Sequence, residues 1–130
     1  MICSDTGVCF AEGVRLFNIG NFFEAHELWE SEWKKAVGLE KTFYQGLIQA
    51  AAALLHVKRN NRAGAASLYL KSWPKLSQFP DEWMGIELGQ LRADLTRYFA
   101  WIEKASNDPP ATTEVQTPPT PVIKWSRGKL

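Results

Sequence analysis

His26-Glu27-Leu28-Trp29-Glu30-Ser31-Glu32-Trp33, followed one helix later by Gln45-Gly46-Leu47-Ile48-Gln49 and then His56, decides how this chain is read. Both stretches interleave polar groups with large apolar ones at helical spacing, and a polar group withdrawn from water is costly unless something bonds it. On a helical wheel Phe22, His26, Trp29, Trp33 and Ala36 share one side, with Glu30 at its edge and Glu27 farther round. His26 therefore faces the core. The polar residues of the two stretches must find each other or a ligand.

Working outward, Asn21 can cap this helix while Glu24 reaches back in a capping box, so the helix should span residues 22–36. Upstream, Phe10, Val14 and Phe17 mark a first helix that ends near Asn18, where Gly20 supplies a left-handed stop. After a turn at Gly38, a third helix over residues 41–59 is apolar nearly all round. Gln45, Gln49, Ala52 and His56 form one stripe, and Phe43, Leu47, Ala50 and Leu54 face the other way, which makes it the central helix. A fourth carries Ala65, Leu68, Tyr69 and Ser72 until Pro74 forbids a smooth continuation. Residues 78–85 read as loop, and Leu88, Leu91, Leu95, Tyr98, Phe99 and Ile102 keep helical spacing to Ala105. An echo at a constant offset of 40 pairs Asn21, Ala25, Leu28, Trp29 and Trp33 with Asn61, Ala65, Leu68, Tyr69 and Trp73.

The expected fold is all-α: a compact array of about five helices built from antiparallel helical hairpins. It occupies residues 1–105 as a single domain, and 106–130 form an extended, Pro-rich C-terminal tail. That tail should contribute little to stability, with Val122, Ile123 and Trp125 as its residues able to dock. In an antiparallel hairpin through Gly38, His26 falls opposite Gln49 or Ala50. Glu30 falls opposite Gln45 or Gly46, where the glycine would let the two backbones approach, and His56 lies one or two turns beyond His26.

At 130 residues, with six Trp, seven Phe and three Tyr, the chain can bury a core without staples. Cys3 and Cys9 lie near an N-terminus without a signal-peptide pattern, which points to reduced thiols and a cytoplasmic setting. No apolar run is long enough to cross a membrane. The formal net charge is +1, yet residues 21–40 sum to −3 and residues 41–80 to +6, so the two segments should attract and pack side by side. The basic residues are not clustered as a nucleic-acid motif requires, which argues against nucleic acid as partner. The partner is instead a protein, a second copy of the chain included, or a small molecule.

The candidate polar cluster is His26, Glu27, Glu30, Gln45, Gln49 and His56. It reads structurally as a buried network in which Glu30 accepts from His26 and the glutamines bridge the helices. Functionally it reads as a small-molecule or metal site. His26, Glu30 and His56 are suitable ligands for a divalent metal, but a zincin helix needs His where Glu30 stands and a di-iron helix needs Glu at Phe23; no cofactor is predicted. Cys3 and Cys9 lie outside the cluster, and Ser31 has no paired base. Trp29 and Trp33 read as core, or as the lining of a pocket. Two functions follow: a non-enzymatic binding or scaffold module, or a small enzyme or ligand-binding protein using His26 and Glu30 as an acid–base pair. An open pocket at His26 favours the second and a sealed core the first.

At these residues the chain resembles a known family. Leu16-Phe-Asn-x-Gly20-x-Phe-Phe-Glu-Ala-His26-Glu27-x-x-Glu30-x-x-Trp33, Phe43-x-Gln45-Gly-Leu-Ile-Gln49-x-Ala-Ala-x-x-x-x-His56 and Gly64-Ala65 are similar to the small helical family designated domain of unknown function number 309. The likeness runs over residues 8–102. It implies an all-helical array of about five helices with no assigned activity, and motif positions at His26, Glu27, Glu30, Gln45, Gln49 and His56.

Overall fold

The chain reverses twice by the same turn, forty residues apart. In the first, Gly20 adopts φ 88°, its N–H bonds the Phe17 carbonyl at 3.0 Å and that of Asn21 bonds Leu16 at 2.8 Å. In the second, Asn60 adopts φ 59°, its N–H bonds Val57 at 3.1 Å and that of Asn61 bonds His56 at 2.8 Å. Both are Schellman stops, with the left-handed residue supplied once by glycine and once by asparagine. The echo in the sequence is thus an echo in the backbone. The turns join α1 (Thr6–Asn18) to α2 (Phe22–Lys35) and α3 (Gly38–Lys58) to α4 (Arg62–Leu76); β1 (Glu82–Trp83), β2 (Ile86–Glu87) and α5 (Leu88–Asn107) follow. The computed structural model describes residues 6–107 and 118–126.

The fold is all-α, as expected, with four local departures. Asn21 makes no side-chain cap bond, whereas Asn61 accepts from Gly64 N–H at 3.0 Å. A β-carbon at Gly64 would come within 2.5 Å of the Asn61 carboxamide. Glu24, at the matching position of the first hairpin, has that carbon. Pro74 does not end α4, which runs through it to Leu76. The carbonyl deprived of its donor is that of Leu70, and Leu70 is exposed to water, which can serve instead. Residues 78–85 are not all loop: β1 and β2 pair antiparallel with Trp83 opposite Ile86. Met84 at φ 52° and Gly85 at φ 80° give the two-residue turn that matches strand twist. Finally, Gly46 does not face α2. A β-carbon there would meet Leu76 and Lys75, so it is α4 that comes close.

α3 is the central helix, with Phe43, Tyr44, Leu47 and Leu54 almost wholly buried. α1 reaches α2 through Gly13, where any side chain would overlap the Trp29 indole. Cys9 is fully buried in this core and is not a free thiol, at variance with the reduced pair read from the sequence; Cys3 lies outside the described residues. The C-terminal segment docks more firmly than its composition suggests. Ile123 is buried, Trp125 bridges Ile86, Glu87 N–H bonds the Lys124 carbonyl at 2.8 Å and Ser126 N–H bonds Gly85 at 2.8 Å. Residues 123–126 thus extend the small sheet. No described helix is long and apolar enough to cross a membrane.

Candidate functional site

A cleft of about 260 Å³ runs between α2, α3 and α4. His26, Glu30 and Trp33 line it from α2, Gln45, Ile48, Gln49 and Ala52 from α3, and Leu68 from α4. The spacings of four and three residues put each set on one helical face. The antiparallel hairpin brings His26 and Glu30 of α2 to the same opening as Gln45 and Gln49 of α3.

His26 lies between two carboxylates. Its Nε2 is 3.7 Å from Glu30 Oε2 and its Nδ1 is 3.5 Å from Glu27 Oε2, both at or beyond the limit of a hydrogen bond. The side chains of His26, Glu30 and Glu27 are 26%, 39% and 56% exposed, so the site opens to water on the carboxylate side. Phe23 stacks on the imidazole with centroids 6.4 Å apart. At the other end, the Lys41 ammonium sits 4.6 Å from the Trp33 ring centroid, a cation–π contact.

Three buried polar atoms of the cleft residues, His26 Nδ1, Trp33 Nε1 and Gln49 Oε1, have no hydrogen-bond partner among the described residues. The cluster is therefore not the sealed, self-satisfied network that the sequence also allowed. Glu27 contacts His26 but lines a different surface depression, with Glu12, Arg15 and Glu24. His56 is not brought into the cleft: its Nδ1 is 3.0 Å from Asn61 Nδ2, where it braces the second turn. Trp29 is fully buried behind α1, its indole N–H 3.4 Å from the Phe10 carbonyl. Of the two tryptophans, Trp33 alone lines the cleft.

The sequence reading missed Ile48 and Leu68 as lining residues, although Leu68 stood in the echo. It also missed Glu32, whose carboxylate is buried with Lys35 3.1 Å away at an angle unsuited to a hydrogen bond. Burial, and then the negative charges of Glu32 and Glu40, push the Tyr44 hydroxyl well above the usual tyrosine range. Among the described residues no three His, Cys, Asp or Glu side chains converge to hold a metal ion. The cleft offers an indole donor, amide donors and acceptors, an imidazole and a carboxylate.

Fold and site define an all-helical double-hairpin domain with a polar cleft. Residues 10–68 match the family described as domain of unknown function (DUF309), in keeping with the resemblance read from the sequence. The matched span is shorter than the 8–102 expected, ending inside α4, yet it contains every residue lining the cleft. An uncharacterized protein of Aquifex aeolicus (strain VF5) is 38% identical over 80 residues, 61% of this chain and 24% of that protein. The uncharacterized protein YpuF of Bacillus subtilis (strain 168) is 42% identical over 53 residues, 40% of this chain and 30% of that protein. The chain thus spans between a quarter and a third of the length of these relatives.

Proposed function

We propose that the domain is a ligand-binding module, the second of the two readings, whose α2–α3–α4 cleft takes a compact polar molecule carrying both hydrogen-bond donors and acceptors. The observation that carries this is one opening lined by His26, Trp33 and Gln49, each with a buried side-chain polar atom that has no hydrogen-bond partner among the described residues. An unmade bond at a buried polar atom costs roughly 1–3 kcal/mol, so a ligand that supplies the partners recovers stability that an empty cleft forgoes. Glu30 at the mouth selects for an N–H donor, and the Trp33 indole N–H for an acceptor beside it.

The test uses three small probes, acetamidinium, acetamide and glycine, followed by the Trp33 indole and the Gln45 and Gln49 carboxamide signals in ¹H–¹⁵N spectra. At least one should shift these signals together, and Glu30→Leu should weaken the response. If none moves them at high millimolar concentration, the reading fails. A proton-transfer role for His26 is favoured by one observation, its place between two carboxylates. Conversion of a bound probe in the same titration would move the assignment there.

A further inference from the structure

The docked C-terminal segment does more than extend the sheet: it forms the outer wall of a second cavity, distinct from the cleft at His26. This cavity holds about 250 Å³ between the first turn, α3, α5 and the tail. Phe17, Phe22, Leu54 and Tyr98 make its apolar walls, and Thr120 and Val122 of the tail close it. Phe17, Phe22 and Leu54 are almost fully buried. Lys58 carries the one charge among its described lining residues.

We propose that this cavity is a binding site for a small apolar carboxylate, with residues 118–126 as the strap that closes over it. Walls of this kind accept a hydrocarbon body, and a few placed polar groups set its orientation. The Lys58 ammonium donates one hydrogen bond to the Gly20 carbonyl at 2.9 Å and lies 5.4 Å from the Phe22 centroid. An ammonium has three donors, so two stay available to an anionic head group. One cation at the wall matches a monoanion, whose head group would sit beside the water-exposed Lys58 while its body lies among the apolar walls.

The strap is held in a way suited to release. The Asn18 carboxamide donates to the Ile123 carbonyl at 2.8 Å and accepts from its N–H at 2.7 Å. With the two backbone bonds to β2 and its turn, the buried Pro121 and Ile123 and the Trp125 ring 5.8 Å from that of Phe10, the whole attachment still involves only a few residues at the end of the described chain. Such a unit opens at a fraction of the cost of global unfolding. A ligand resting on Val122 therefore stabilises the closed strap, and the closed strap holds the ligand.

The full chain is titrated with hexanoate and, separately, with hexanol, following the Asn18 carboxamide, the Ile123 amide and the Trp125 indole in ¹H–¹⁵N spectra. Hexanoate should shift these signals and bind about tenfold more tightly than hexanol, the scale of a charge-assisted hydrogen bond. Lys58→Met should erase that preference, Lys58→Arg should retain it, and Asn18→Ala should weaken hexanoate by loosening the strap. The proposal is overturned if the strap signals stay still at saturating hexanoate, if the two probes bind equally to the unmodified chain, or if Lys58→Met keeps the preference. Should Lys58→Met not fold, the comparison of probes on the unmodified chain decides alone.

Discussion

The two hairpins share a scaffold and differ in what they carry on it. Ala25 and Ala65 are both fully buried at the same point after the turn. Their N–H groups both bond the asparagine carbonyl four residues back at 3.0 Å. Of the positions that recur, Asn21/Asn61, Ala25/Ala65, Leu28/Leu68 and Trp29/Tyr69 make the hairpin, while in the fifth pair, Trp33/Trp73, Trp33 also lines the cleft. Where the sequences part, His26 faces Ala66 in the alignment, Glu30 faces Leu70 and Glu32 faces Ser72. The α2 face holding His26 and Glu30 looks into the cleft, whereas Ala66 and Leu70 on α4 are exposed. Repetition marks the scaffold, and departure from it marks the titratable pair of the cleft, His26 and Glu30.

The largest test of that division is truncation of the paired aromatics. Trp29 is fully buried, whereas Tyr69 is half-buried, stacked on Phe99 with centroids 4.6 Å apart and its hydroxyl 3.1 Å from Thr96 Oγ1. Trp29→Ala should cost roughly 3–5 kcal/mol in denaturant melts, and Tyr69→Ala clearly less. Equal losses would show that the hairpins are packed alike. A second test concerns the floor beneath Trp29. Alanine is about 1 kcal/mol better than glycine in a helix interior, yet Gly13→Ala places its methyl inside the indole. Overpacking of this kind costs roughly 1–3 kcal/mol, so a net loss is expected. The matching residue on α3 is Ala53, already buried, where Ala53→Gly should also destabilise. A gain from Gly13→Ala would mean that α1 can shift to relieve the contact.

The hairpins, the central place of α3 and the Gln45–Gln49 register were legible because each rests on local spacing and on a short connection. His56 satisfied the same spacing but was misplaced. A wheel reports a face, and the asparagine that takes up His56 belongs to the next turn. Glu32 was missed because a glutamate on an acidic helix ordinarily points to water, and only the packing of α2 buries this one. The β1–β2 hairpin is too short for alternation to register, and Met84-Gly85 is a weaker turn signal than Asn-Gly. Residues 123–126 were read by composition, while their docking depends on Asn18, more than a hundred residues away.

Glu32 gives the comparison a pH axis, since Ser72 at the matching position is neutral and its hydroxyl donates to the Tyr69 carbonyl at 2.9 Å. Near Glu32, Tyr44 is held above its ordinary value by burial first and by the carboxylates second. The folded protein therefore keeps this proton after the unfolded chain has lost it. The associated stability is complete below the unfolded tyrosine value of about 10 and is lost as pH rises beyond it. Melting temperature should fall on the alkaline side, Tyr44→Phe should lessen that fall, and the likewise raised Tyr98 should account for part of what remains. At neutral pH Tyr44→Phe should be neutral to slightly stabilising, because it removes a buried hydroxyl that has no partner among the described residues. An unchanged alkaline limb would place the coupling elsewhere.

The smallest expected change in stability is the most informative. The double substitution His26→Ala with Glu30→Leu writes the α4 residues Ala66 and Leu70 onto α2, turning the site face into its scaffold counterpart. No hydrogen bond joins His26 to Glu30, whose closest atoms are 3.7 Å apart, and both side chains are partly exposed, so little is lost by removing the pair. Alanine is also a better helix former than histidine, and leucine is about equal to glutamate. If the cleft is a binding site, the variant should melt within about 1 kcal/mol of the unmodified chain or slightly above it, while the Trp33 indole stops responding to the polar probes. A scaffold network would behave differently, since stranding Gln45 and Gln49 opposite new apolar surface would cost roughly 1–3 kcal/mol. Stability and probe response measured on one variant thus separate the two roles, and a large loss of stability with the response intact would sink the division between repeated scaffold and unrepeated site.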